Sequence, residues 1–444
     1  MKKRIKNFRR KKKFKFYRKL KKNITLTILT KISFIFFLIF GYIIPIKFKK
    51  ISQELSQKNG PNIIEEIKNF EEKVTSNLSM KTYEEFYNIN CQNKLIEENI
   101  KFENSKNPEV TIVIPVHNLD QCIYRCLRSI QNQSLKNLEI IIIDDCSTDN
   151  TTEIIKQFQK EDPRIILIEH DSNEGPIKSR SDGIRKSRGK YITLVDGDDA
   201  LIHKDILKNS LYIAEKGNID VIEFNHAMYN DGRFEQVAKV YYKLNLTNII
   251  YQPELRFLFI NINNNFPKDF ENRAIWGKLV KREVFLKTLE YIGEEFSDDY
   301  ITWAEDTLMV VGLIRSANSY YFIKEYGYYR NVGKNRRPSS KINKKVCKLN
   351  DKIKDFSYFK FLKFLVARAG ENDKDQIMAY KEAATGVKYD NYFNGFKMSK
   401  KHFEIIFFIF DNALKFNFLN KEQKDNLMRL RNRAIEKRNR DKIE

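Results

Sequence analysis

Val110-Thr111-Ile112-Val113-Ile114-Pro115-Val116 is a short apolar run rich in β-branched residues, and it ends at His117-Asn118. Such a run reads as a buried strand. Working outward, Asp120–Gln133 has helical spacing through Cys122, Cys126, Leu127 and Ile130, and Leu138–Ile143 is a second strand. Asn150–Gln159 predicts a helix, Arg164–Ile168 a third strand, Pro176–Lys186 a helix and Tyr191–Val195 a fourth strand. This alternation predicts a parallel α/β sheet with right-handed crossovers. Ligands of such sheets sit outside the carboxyl ends of the strands, so the polar residues after each strand are where chemistry is expected.

Those residues are acids. The second strand runs into Asp144-Asp145-Cys146-Ser147-Thr148-Asp149, and the fourth into Asp196-Gly197-Asp198-Asp199. Three carboxylates within four residues repel one another and call for a cation. Oxygen-only ligands suit a hard ion such as Mg²⁺ or Mn²⁺ shared with a phosphate, rather than zinc. One aspartate is explained by an Asx-turn or a helix cap, but three are not. No GxxxxGK[ST] or GxGxxG follows a strand, which argues against P-loop and dinucleotide-binding readings.

Four motifs in order resemble the nucleotide-binding half of family-two glycosyltransferases: Val113-Ile114-Pro115-Val116-His117-Asn118, Ile142–Asp149, Asn173-Glu174-Gly175 with Ser179-Arg180-Ser181-Asp182-Gly183, and Leu194–Asp199. Trp276-Gly277-Lys278-Leu279, Trp303-Ala304-Glu305-Asp306 and Tyr328-Tyr329-Arg330 resemble later segments of the same family. The resemblance implies a GT-A fold, a mixed and mostly parallel sheet flanked by helices. It further implies that Pro115, Val116, His117, Asn118, Asp144 and Asp145 contact the donor nucleotide, with Asp145 accepting from a uracil N–H. Arg180 would reach the diphosphate or sugar, Asp196 and Asp199 would bind the nucleotide sugar, Asp198 with Asp196 or Asp199 would hold Mn²⁺ or Mg²⁺, and Asp306 would be the base with Glu305 beside it. The implied reaction moves a sugar from a nucleotide-diphosphate donor to a hydroxyl of a glycan, protein or lipid, by direct displacement with inversion. The rivals are a polyprenyl-phosphate sugar transferase or nucleotidyltransferase on the same fold, and a tethered binding protein without activity. Cys146 stands where the family often has Gly, Ser181 where Asn is usual, and His117 where Tyr is common.

The chain has 444 residues and a formal charge of +23. Residues 1–50 carry +18 and residues 421–444 carry +4, leaving about +1 on 51–420. The body is therefore near neutral, which argues against a nucleic-acid partner. Residues 1–22 read as a basic cytosolic tail, and 23–46 as a transmembrane signal anchor built on the apolar stretch Ile24–Ile46. Fourteen Lys/Arg precede Asn23 against three in Lys47–Lys50, so the positive-inside rule predicts a type II protein with its catalytic domain in the Golgi or endoplasmic-reticulum lumen. Residues 47–107 read as a stem, 108–335 as the GT-A domain and 336–444 as a helical C-terminal region. Five scattered cysteines without a CxxC do not make a disulfide framework.

Overall fold

In the computed structural model, described residues are 61–75, 85, 101–230, 233–236, 249–252, 255, 274–297, 301, 305–331, 360, 362–368, 400–416, 419–441 and 443. The expected tail, the apolar stretch 24–46, Asp298, Asp299, Trp303 and the segment Gly333–Arg337 lie outside them. Every residue of β2 (Leu138–Asp144) is buried, as are all but Pro115 of β1 (Val110–Val116). Strands covered on both faces are those of a sheet sandwiched by helices. Parallel pairing joins β1 to β2, β2 to β3 (Ile165–Glu169) and β1 to β4 (Tyr191–Leu194). The register sets Val116 opposite Asp144 and Val113 opposite Leu194, so the loops after β1, β2 and β4 leave the sheet at one edge. α2 (Ile123–Gln131), α3 (Thr151–Glu161) and α4 (Pro176–Lys186) connect these strands.

Beyond β4 the direction changes. The strand order is β3-β2-β1-β4-β9-β6-β10-β5, adding β5 (Ala200–Leu201), β6 (Val221–Asn230), β9 (Lys278–Lys281) and β10 (Ser319–Asn331). β9 runs antiparallel to both neighbours, and β10 runs parallel to β6 and antiparallel to β5. β7 (Arg233–Gln236) and β8 (Ile250–Tyr251) pair off this path. The expected mostly parallel sheet therefore holds for the first half, and the second half is mixed. Side chains alternate across a strand. Val113 thus joins one apolar cluster while Ile112 and Ile114 join another. The first cluster also takes in α6 (Arg282–Ile292), α7 (Glu294–Ser297) and α8 (Glu305–Ser316), and the second takes in α5 (Ile206–Gly217).

Two outlying regions belong to this body. α1 (Pro61–Thr75) lies inside the expected stem, yet Ile67 is 1% exposed and Glu71 accepts from the Tyr321 hydroxyl and the Lys324 N–H, both at 2.8 Å. That helix is docked, not a free spacer. Near the other end, α9 (Lys400–Ala413) and α10 (Lys421–Arg440) share the apolar cluster of α6 and α8 through Phe403, Ile406, Phe410, Leu427 and Leu430. A capping box between Asn420 and Gln423 starts α10, satisfying two backbone donors at its first turn.

Candidate active site

The two loops leaving β1 and β2 are tied together. The His117 Nδ1–H donates to the Asp145 carbonyl at 2.8 Å, and Asn118 accepts from the Thr148 N–H at 2.8 Å. Asn118 and Cys146 both adopt left-handed backbone, at φ 55° and 62°. Asn tolerates that region better than Cys does, and Cys146 takes it where a glycine would be free of strain. The Asp145 carboxylate accepts from the Glu174 and Gly175 N–H groups at 2.8 Å each, and His170 Nδ1 lies 3.0 Å from it. Asp144 is spent on its own loop, accepting from the Ser147 N–H at 3.0 Å and from the Thr152 hydroxyl. Val116 is 3% exposed, with its carbonyl accepting from the Asp145 N–H. Asp144 and Val116, expected as donor contacts, are buried, whereas Pro115, His117 and Asn118 keep accessible surface.

The acids after β4 gather as expected. Carboxylate oxygens of Asp196, Asp198 and Asp199 lie within 4.8 Å of one another. Asp199 is fully buried and accepts from the Tyr328 hydroxyl at 2.9 Å and the Asn331 N–H at 2.8 Å. Burial, with Asp198 and Asp196 close by, pushes its carboxyl well above the usual range. Asp199 is thus a buried brace of the loop; the expected direct contact with donor does not fit its burial. Asp196 and Asp198 keep accessible surface. This crowding of negative charge fits a hard divalent cation, whose arrival would relieve it.

Arg180 connects this cluster to the other end of the site. Its guanidinium is 4% exposed, with Nη2 2.8 Å from Asp196 and Nη1 3.4 Å from Asp306 and 3.7 Å from Glu305. Burial opposes its charge, but Asp196, Asp306 and Glu305 outweigh that and hold it firmly protonated. Nε and Nη1 have no hydrogen-bond acceptor among the described residues. Those buried donors suit an incoming anion such as a diphosphate. Asp306 and Glu305 sit in the first turn of α8. Burial pushes both carboxyls up, Asp306 to about 7, against the lowering pull of Arg180. A carboxylate poised there can act as a base at neutral pH.

Two supports, His170 and His226, went unread in the sequence, and Trp276 was read only as part of a motif. His170 stands between Asp145 and Asp182, at 3.0 and 3.3 Å. It follows β3 directly, so the carboxyl-end rule that found the acids also points to it. Trp276 stacks on Tyr328, ring centres 4.5 Å apart at 11°. His226 meets the Trp276 edge at 5.0 Å, and burial, with Arg330 and Lys278, lowers its pKa to about 4.

The family model for Glycosyl transferase family 2 matches residues 111–286. It is 30% identical over 198 residues to the glycosyltransferase GlyA of Streptococcus pneumoniae, covering 44% of this chain and 27% of that protein. It is 25% identical over 293 residues to the uncharacterized glycosyltransferase YibD of Escherichia coli, covering 65% and 78%. It is 33% identical over 96 residues to the GalNAc(5)-diNAcBac-PP-undecaprenol beta-1,3-glucosyltransferase of Campylobacter jejuni, covering 21% and 31%. Among solved structures, Staphylococcus aureus TarS 1–349 in complex with UDP superposes with a TM-score of 0.51 at 17% identity, covering 74% of this chain and 88% of that one. That likeness supports the GT-A-like fold. These relatives are bacterial, which overturns the expected Golgi or endoplasmic-reticulum placement with a type II anchor, since bacteria have neither compartment. Among the described residues no helix is long and apolar enough to cross a membrane.

Proposed function

We infer that the chain, whose residues 111–286 match the family-two model, is an inverting glycosyltransferase. It moves a sugar from a nucleotide-diphosphate donor, best read as UDP-linked, to a hydroxyl of a glycan, protein or lipid. The observation that carries the reading is the Arg180 bridge, whose Nη2 meets Asp196 of the acid cluster and whose Nη1 faces Glu305 and Asp306. A donor-side charge centre and a base held near one cation are what a single displacement needs. The UDP reading draws support from Asp145, which is positioned by three donors beside the accessible rim of His117 and Asn118, and from the UDP complex of TarS.

Asp196 and Asp198 would hold Mn²⁺ or Mg²⁺, which when bound offsets the charge of the departing diphosphate. Arg180, whose Nε–H has no acceptor among the described residues, would offer that donor to the same anion. Asp306 takes the proton from the attacking hydroxyl, and the burial that raises its proton affinity makes it a stronger base. Glu305 adds negative charge beside it, reinforcing that affinity. No second carboxylate nucleophile is required, so the anomeric configuration inverts.

The test is a panel of nucleotide sugars followed by ³¹P NMR. Release of a nucleoside diphosphate is expected, with a uridine donor preferred. Pyrophosphate released when a nucleoside triphosphate and a sugar 1-phosphate are supplied, with no diphosphate released from the nucleotide sugars, would establish nucleotidyl transfer and end this reading.

A further inference from the structure

We propose that Tyr328 is the positioning residue of the cation site: its hydroxyl fixes both ends of the Asp196–Asp199 loop in the geometry that binds a divalent ion. The proposal rests on the reading of Asp196 and Asp198 as ligands. Three mutually repelling carboxylates do not hold a loop in shape, so something else must.

Strand β10 does it. Its antiparallel register sets Tyr328 opposite Leu201 and Tyr329 opposite Ala200, just past the acids. The Tyr328 hydroxyl accepts from the Asp196 N–H at 3.1 Å and donates to Asp199 Oδ2 at 2.9 Å. The Asn331 N–H, three residues on, donates to the other Asp199 oxygen at 2.8 Å. First and last aspartates of the loop are thus pinned to one strand. The strand itself has little room to move. A Cβ at Gly327 would fall 2.2 Å from Ile206 and 2.6 Å from Phe224, and the Trp276 stack fixes the direction of the phenol. Tyr328 is fully buried, so its hydroxyl meets these two partners rather than bulk water. Packing alone would be served equally well by phenylalanine. The hydroxyl is what keeps the Asp196 N–H and the buried Asp199 carboxylate paired.

Y328F keeps the ring and its stack and removes the hydroxyl. Mn²⁺ binding to the full chain is measured by electron paramagnetic resonance with UDP present, alongside thermal melting, with Asp198→Asn as the control for the site. The parent binds Mn²⁺ and Asp198→Asn does not. Y328F binds roughly 10- to 100-fold more weakly, the range seen when an outer partner of a ligand is lost. UDP binding in EDTA stays the same, which a general collapse of the fold would not allow. Should Y328F fail to fold, Trp276→Leu removes the stack but leaves the hydroxyl, and a roughly threefold weakening is expected. Y328F affinity within about twofold of the parent overturns the proposal, as does unchanged affinity of Trp276→Leu if that variant must serve. Equal binding by the parent and Asp198→Asn, or none by the parent, overturns instead the cation reading beneath it.

Discussion

Replacing Arg180 with methionine keeps an unbranched stem and removes the guanidinium set among Asp196, Glu305 and Asp306. The nearest oxygen of Asp306 lies 3.4 Å from Nη1. Two unit charges at that distance interact by 332/(80 × 3.4), about 1.2 kcal/mol, even under the screening of bulk water. That is about 0.9 of a pKa unit, and the buried setting makes it a lower bound. Asp306, now at about 7, moves upward. The base must be ionised to work, so activity rises with pH through its pKa, and a cation bound at Asp196 sets that limb lower than in the free protein. Arg180→Met moves the limb up by about one unit or more, and below it the rate falls about tenfold per unit. The assay is UDP release with water as acceptor, read as kcat at saturating donor and Mn²⁺. Saturation separates the shift from any loss of donor affinity. A limb that stays in place while KM alone rises would refute the coupling.

Glu71→Ala leaves the Tyr321 hydroxyl and the Lys324 N–H without their shared acceptor. A loss of about 1–3 kcal/mol in urea unfolding is expected, with UDP binding unchanged. His226, held neutral with a pKa of about 4, binds a proton more readily when unfolded. Stability therefore falls as pH drops from about 6.5 towards 4, by up to about 3 kcal/mol, and His226→Phe removes that dependence in acid unfolding curves. A Cβ at Gly197 would sit 2.8 Å from both Leu119 Cδ1 and Val116 Cγ1. Gly197→Ala should displace the acid loop, cost about 1–3 kcal/mol in thermal or urea unfolding and weaken Mn²⁺–UDP binding in calorimetry.

The first four strands were legible because each is a buried aliphatic run closed by polar residues. The site's chemical inventory was legible for a related reason: Asp145, Asp196, Asp198 and Arg180 all lie at or near the loops that follow those strands. What the sequence did not disclose is how a carboxylate is used. Asp144 and Asp145 are neighbours of one type, yet one closes its own turn while the other takes hydrogen bonds from a distant turn and a histidine. Asp199 matches its motif neighbours, but only the depth of burial and the Tyr328 hydroxyl reveal its bracing role. The strand Ser319–Asn331 was hard to read because Lys324, Glu325 and Gly327 interrupt an aromatic run, and the register shifts there between Ile323 and Tyr328. Helix Pro61–Thr75 was read as spacer because its buried stripe is narrow, with Ile67 and Glu71 as its fully buried anchors in a polar stretch.

The most direct test of the central claim is the rate of UDP release from UDP-sugars with Mn²⁺, compared among the parent, Asp198→Asn and Asp306→Asn. The account predicts metal-dependent turnover in the parent. It predicts a loss of at least about a hundredfold in Asp306→Asn with Mn²⁺ binding retained, as for removal of a general base. In Asp198→Asn, turnover and Mn²⁺ binding should be lost together. Parent-like release from either variant would contradict the assignment of the site.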